Sequence, residues 1–315
     1  MASSQKLHVS SAARYFALCA LTLQNTALTV SMKFSYRVTA RPYSGAMVVL
    51  VVEVLKFVIC CAITSVQGQA QDVQRALSEA IRVPKLATPS IMYVAQNNLI
   101  LISIKHLSQT AYVVAAQGKV ITSALFSALI LGHSFSIRKR VALLVLMIGI
   151  ILVQLPAELS VDLEHQTKEI RSTVIGLVAI TAANVTSGYA GVILEKLFKT
   201  SSKSIWYRNV QLAAFSLPCA LLTVLSSGDL QAKSEVFCGF DTVVFLVILH
   251  NACGGLITAV VMRYASAVLK CFAVSLSICT CAIISTTQGI VLPLHACLGI
   301  GLVSSSTLMY TTCRK

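Results

Sequence analysis

Charge is what this chain has least of. Only 11% of its 315 residues are Asp, Glu, Lys or Arg, whereas 56% are hydrophobic. A soluble domain carries about 25% charged residues. Too few polar side chains are present to cover a water-facing surface. That excludes a soluble globular protein and leaves a polytopic membrane protein. Other absences narrow the chemistry. Walker and Rossmann glycine patterns are missing, so nothing couples the chain to ATP. No CxxC pair and no Cys/His spacing suits zinc, despite eleven cysteines. Most of them (Cys60, Cys61, Cys253, Cys271, Cys279, Cys281) lie in apolar runs and behave as small packing residues. Only Cys238 falls clearly in a loop, which argues against a disulfide framework. His106, His133, His165, His250 and His295 sit in loops or at run ends. No carboxylate pair lies inside an apolar run, and no nucleophile–base spacing stands out. An enzyme, a metal site and a cofactor are therefore not expected.

What is present is a series of apolar runs of roughly 18 to 24 residues, each long enough to cross a hydrocarbon core. Ten are placed: 14–36, 44–66, 86–107, 110–132, 139–156, 172–195, 205–226, 239–262, 266–288 and 292–312. The N-terminal stretch has no signal-peptide core of its own, so the first run reads as a retained span. The net charge of +14 falls mostly between the runs. No aromatic-interleaved basic stripe accompanies it, so nucleic acid is not an expected partner; the lipid bilayer is. Fifteen of the 25 Lys and Arg fall on the side carrying both termini, and seven fall on the other. The richer side is cytosolic by the positive-inside rule. Asn184-Val185-Thr186, the one glycosylation sequon, lies inside the sixth run and reads as buried and unmodified.

Ten spans divide into five and five, so the second half enters the membrane in the opposite sense. The expected fold is an all-α membrane protein with ten transmembrane helices as two inverted five-helix repeats. It forms one domain over 1–315, with halves 14–156 and 172–312. That is the plan of many secondary carriers, whose site lies at the midplane between the halves.

Three cations remain inside the runs: Lys56, Lys119 and Lys270. A buried cation costs roughly 2.5 kcal/mol even on insertion scales, so each is a candidate site residue. Lys119 lies mid-span in the fourth run and Lys270 early in the ninth, its counterpart in the other half. Together they suggest a central site for an anion. Tyr112 precedes Lys119 by seven residues, nearly two helical turns, which predicts one shared face. A tyrosine there can stack on a base or sugar while the lysine neutralises a phosphate. Glu53 and Lys56 are three apart and predict an ion pair. Gln96, Asn97 and Asn98 are amides that need partners across helices or in a ligand. Gly188 and Gly191 favour close helix packing, and Gly254-Gly255 either packs or lines a cavity.

Several motifs carry a family resemblance. They are Tyr93 through Asn98, Ala111-Tyr112 through Gln117-Gly118-Lys119, Ser187-Gly188-Tyr189-Ala190-Gly191 through Glu195-Lys196, Ser204-Ile205-Trp206 through Gln211, and Gly254-Gly255 through Lys270 and Ser277. Over about 44–312 the chain resembles the Golgi nucleotide-sugar transporters, in the branch holding the UDP-galactose, UDP-N-acetylglucosamine and CMP-sialic acid carriers. The resemblance implies ten helices in two inverted halves. It implies exchange of a cytosolic nucleotide sugar for a lumenal nucleoside monophosphate, both termini in the cytosol, and room for a homodimer. Carried onto this sequence, it implies phosphate contacts from Lys119 and Lys270 and stacking by Tyr112. It makes Asn97, Asn98, Ser187, Gly188 and Asn209 pocket positions and Lys56 a third cation. Ala213 stands where the sialic acid carriers favour tyrosine, and Gln117-Gly118 replaces a bulkier pair. Both departures favour a UDP-sugar over CMP-sialic acid. A proton-coupled drug or metabolite exporter is the competing class, with Glu53 its one candidate carboxylate.

Overall fold

In hydrocarbon a backbone N–H or C=O finds no water, so an apolar run can satisfy its backbone only by winding into a helix. The computed structural model describes residues 11–38, 43–68, 71–155, 166–226, 239–287, 289 and 291–312. The chain's first ten residues, residues 156–165, Cys238 and the C-terminal Cys-Arg-Lys lie outside the described residues. Among the described residues the fold is all-helical, with no strand. In order come α1 (Ser11–Val38), α2 (Gly45–Gln67), α3 (Gln71–Arg82), α4 (Ala87–His106), α5 (Gln109–Ala116) and α6 (Gly118–Leu131). Then follow α7 (Ile137–Gln154), α8 (Gln166–Thr200), α9 (Ile205–Ser226), α10 (Thr242–Tyr264), α11 (Ala267–Thr287) and α12 (Leu294–Thr312). A helical segment lies at each of the ten expected runs. Six described segments are long and apolar enough to cross a membrane: α2, α5–α6, most of α8, α9, α10 and α11.

Polar caps set several helix starts. Ser44 Oγ accepts from Met47 N at 3.2 Å, Ser108 Oγ from Ala111 N at 3.3 Å, and Asp241 Oδ1 from Val244 N at 2.8 Å. Each satisfies an orphan amide of a first turn. Two further ends are satisfied by other helices. The fully buried Glu195 of α8 accepts from the amide of Ala267 at 2.7 Å and pairs with Lys199 at 2.5 Å. Arg263 of α10 donates to the carbonyls of Phe198 and Ser201 at the end of α8. The α8, α10 and α11 ends are thereby tied together.

Two features depart from the sequence reading. α3 was not foreseen. Its Ala76 and Ala80 are fully buried and four residues apart on an otherwise polar segment, and they pack on α9. The fourth run is also not one continuous α-helix. At Gln117 the bonds become i→i−3 (Gln117 N to Val114 O, 3.2 Å; Val120 N to Gln117 O, 3.0 Å). Such bonds wind the chain tighter, by roughly 20° per residue. Tyr112 and Lys119 therefore lie on either side of a tightened turn and not on one uninterrupted α-helix.

The helices pair in a regular way. α4 packs on α8, and α1 on α10; α6 packs on α8, and α1 on α11; α2 packs on α9, and α7 on α12. A histidine–serine hydrogen bond marks each of the first two interfaces, His106 Nδ1 with Ser172 Oγ and His250 Nδ1 with Ser31 Oγ, both 2.9 Å. Glycine permits the closest approaches. A Cβ on Gly149 would lie 3.0 Å from the Gly299 carbonyl, and one on Gly299 would lie 2.7 Å from the Gly149 carbonyl. The α7–α12 pair therefore crosses backbone to backbone. Gly188 is similar: its Cβ would lie 2.8 Å from the Thr122 carbonyl carbon and 2.9 Å from Ser123 N.

Gly188→Ala is therefore expected to push α6 off α8 and destabilise the fold by about 1–3 kcal/mol. Gly301, with nothing within 4 Å of an added Cβ, supplies the control, since Gly301→Ala should change stability by less than about 0.5 kcal/mol. Thermal unfolding of the two variants in detergent measures the difference.

Candidate functional site

Two cavities open inside the bundle and share two residues. The larger, about 400 Å³, is lined from α2, α4, α8, α9, α10 and α11. The smaller, about 200 Å³, is lined from α4, Gln117, α6, α7, α8, α10 and α11. Tyr93 and Lys270 line both, so the cavities meet at these two side chains.

Lys119 and Lys270 lie in the first turns of α6 and α11, and both line the smaller cavity. The backbone amides of a helix start carry partial positive charge, which adds to each lysine's own. Among the described residues no carboxylate pairs with either. Lys56 is different. It lines the larger cavity and pairs with Glu53 at 2.5 Å. The second oxygen of Glu53 accepts from Ser216 Oγ at 2.8 Å. The lysine stem crosses Gly255, where a Cβ would lie 2.7 Å from Lys56 Cδ. Glu53 is thus held from two sides. Among the described residues no group of His, Cys, Asp and Glu is suited to hold a metal.

The other expected site residues divide. Asn97 and Asn209 line the larger cavity, and Ser187 lines the smaller. Tyr112, Asn98 and Gly188 line neither. Tyr112 packs with Leu107, Ile180 and Ala183. Asn98 is exposed and donates to its own helix, Nδ2 to the Val94 carbonyl at 2.9 Å. Gly188 serves the close α6–α8 contact.

The cavities also hold residues that spacing alone did not single out. Asn209, Ala213, Ser216, Ala220 and Thr223 form one stripe of α9 in the larger cavity. Ala267, Lys270, Cys271, Val274, Ser275 and Ile278 form one stripe of α11 in the smaller. Extending the i, i+3, i+4, i+7 series finds Leu212, Ala213 and Ser216 from Asn209, but from Lys270 it reaches only Val274 of the α11 set. Gln117, at the helix interruption, carries no such signal.

Removing one member of a partly buried ion pair strands the other charge, whereas removing both does not. Glu53→Ala should therefore lower the thermal midpoint more than Glu53→Ala/Lys56→Met, by an amount equivalent to about 1–3 kcal/mol; the side chains are 18% and 24% exposed, so the penalty stays below that of a dry pair. Thermal melts of the single and double variants give the comparison.

Comparisons with known proteins agree on one family. Residues 9–311 match the nucleotide-sugar transporter family. The chain is 33% identical over 311 residues to a UDP-N-acetylglucosamine transporter of Mus musculus, covering 94% of each protein. It is 37% identical over 288 residues to a UDP-N-acetylglucosamine/UDP-N-acetylgalactosamine transporter of Caenorhabditis elegans, covering 85% of this chain and 84% of that one. It is 35% identical over 312 residues to a UDP-galactose translocator of Mus musculus, covering 95% of this chain and 78% of that one. A protein solved by crystallography shares the fold with a TM-score of 0.69 at 13% identity, over 96% of this chain and 98% of that one. A multi-pass helical membrane protein with an internal, lysine-lined cleft and these relatives belongs to the nucleotide-sugar transporter family, and is a transporter and not an enzyme.

Proposed function

We propose that the protein is an antiporter that exchanges a cytosolic pyrimidine nucleotide sugar for a lumenal nucleoside monophosphate. The substrate read here is a UDP-sugar such as UDP-galactose or UDP-N-acetylglucosamine, the membrane is that of the Golgi, and both termini face the cytosol. The carrying observation is that Lys119 and Lys270, without carboxylate partners among the described residues, line one cavity that joins a larger one. Two cations facing one space suit a diphosphate. The larger cavity, with Phe57, Tyr93 and the amides of Asn97 and Asn209, suits a nucleoside. Ala213 lines it with only a methyl group, which supports a UDP-sugar over CMP-sialic acid.

The movement follows from the architecture. Ten spans in two inverted five-helix halves are supported by the helix pairings. Matching α1, α2, α4, α5–α6 and α7 in order with α8, α9, α10, α11 and α12 exchanges the α4–α8 contact with α1–α10, and α6–α8 with α1–α11. The α2–α9 and α7–α12 contacts map onto themselves. The two histidine–serine bonds exchange in the same way. Lys119 then comes from one half and Lys270 from the other, and rocking of one half on the other opens the cleft to alternate sides. Reorienting an empty cleft leaves two cations close together without an anion. Bound nucleotide removes that repulsion, which favours exchange over leak. One chain supplies both lysines, so a homodimer would pair two complete carriers.

Proteoliposomes preloaded with UMP, CMP or nothing test the reading by uptake of labelled UDP-galactose, UDP-N-acetylglucosamine and CMP-sialic acid. UDP-sugar uptake should require preloaded UMP and should fall at least about tenfold in Lys119→Ala and in Lys270→Ala, as expected for loss of a charge-assisted phosphate contact. Fast uptake without preload would contradict exchange, and failure to move any of the three would overturn the nucleotide-sugar assignment. Cys271 lines the same cavity as both lysines. An anionic methanethiosulfonate reagent should therefore inhibit the wild type, UMP should protect it, and Cys271→Ser should resist.

A further inference from the structure

No apolar run predicts α3, and α3 cannot be a span. Its 12 residues reach about 18 Å, against a hydrocarbon core of about 30 Å. Its inner face packs where two spans end. Val73, Ala76 and Leu77 cluster with Cys60 of α2 and with Tyr207 and Val210 of α9. Ala80, one turn further on, is also buried. Cys60 lies in the last two turns of α2, and Tyr207 lies in the first turn of α9. Both helices are long and apolar enough to cross a membrane. α3 therefore lies at the level where these spans leave the bilayer, and a lipid surface is its neighbour.

The rest of α3 is sorted by charge. At about 100° per residue, Asp72 and Glu79 fall on one flank, Arg75, Ser78 and Arg82 on the outer crest, and Ile81 on the other flank. The acidic flank is turned toward the protein, where Glu79 Oε2 accepts from Gln211 Nε2 of α9 at 3.2 Å. On the crest, Arg75 reaches Asp72 at 3.6 Å. Arg82 is exposed, as is Lys85 in the short turn that joins α3 to α4. Among the described residues neither has a carboxylate within ion-pair distance. Beside these two cations Ile81 is 78% exposed and Val83 41%, on a segment that belongs to no span. In water such exposure is unfavourable. At a bilayer surface the apolar side chains enter the acyl boundary, while the long basic stems carry their charges to the headgroups.

We propose that α3 docks on the bilayer surface, with Ile81 and Val83 in the acyl boundary and Arg82 and Lys85 on the headgroups of anionic phospholipids. Charge complementarity selects an anionic over a zwitterionic headgroup, because the helix keeps its carboxylates on the flank away from Ile81. With both termini in the cytosol, α3 meets the cytosolic leaflet, whose anionic lipids attract basic segments. The proposal is independent of the solute that the cleft carries.

The chain's one tryptophan, Trp206, lets fluorescence test the contact. The full-length Trp206→Phe/Ile81→Trp chain is reconstituted in phosphatidylcholine vesicles holding an equal share of brominated phosphatidylserine or brominated phosphatidylcholine. The brominated serine lipid should quench about twofold more than the choline lipid, and adding Arg82→Gln/Lys85→Gln should make the two equal. Quenching by neither lipid, or equal quenching while both cations are present, would overturn the proposal. Loss of the preference on adding millimolar inorganic phosphate at constant ionic strength would also overturn it, since the cations would then hold a soluble anion. Where the tryptophan variant fails to fold, thermal unfolding of the chain with its native Trp206 and Ile81, in detergent, carries the test. Added phosphatidylserine should raise the midpoint more than phosphatidylcholine does, and Arg82→Gln/Lys85→Gln should reduce that difference. An equal response to the two lipids, or a difference unchanged in the double variant, would overturn the proposal.

Discussion

A cation inside an apolar bundle is the constraint around which this structure is arranged. Such a charge must be paired, reach water, or line a cavity that receives an anion. The fold uses the first solution where charge is scaffold and the third where charge is site. Lys56 leans on Glu53, Lys199 on Glu195, and Arg263 on two helix-end carbonyls. Among the described residues Lys119 and Lys270 have no carboxylate partner, and both line the same cavity.

Holding two unpaired cations in register requires a stiff surround. Without water, stiffness comes from close backbone packing and from satisfied helix ends. Gly149 with Gly299, and Gly188 with Thr122 and Ser123, bring backbones into direct contact. Glu195 caps α11 just ahead of Lys270, and Asn184 braces the turn just ahead of Lys119. Each lysine therefore follows a helix start that a polar side chain of α8 holds in place. The same helix thus reaches both halves of the cleft.

The composition of the cleft divides its work. Phe57, Lys56 and the asparagine amides lie in the larger cavity, Lys119 with glutamine and serine in the smaller one, and Tyr93 and Lys270 where the two meet.

The sequence by itself determined the membrane class and the helical segments, and it marked the lysines inside the apolar runs. Each follows from local composition: long apolar runs must be helical in lipid, and a charge inside one is too costly to be incidental. It also foretold the Glu53–Lys56 pair, because i, i+3 neighbours on a helix touch whatever surrounds them. Tertiary structure decided the rest. Tyr112 packs against Leu107, Ile180 and Ala183 ahead of the turn at Gln117, and that turn is braced by Asn184, distant in sequence. Asn98 and Asn97 are neighbours with opposite fates, one bonded to its own helix and one in the cavity wall, because a rotation of about 100° per residue separates them. Which side of a helix meets a cavity depends on which helices pack beside it, and that contact is made between residues the chain order keeps far apart.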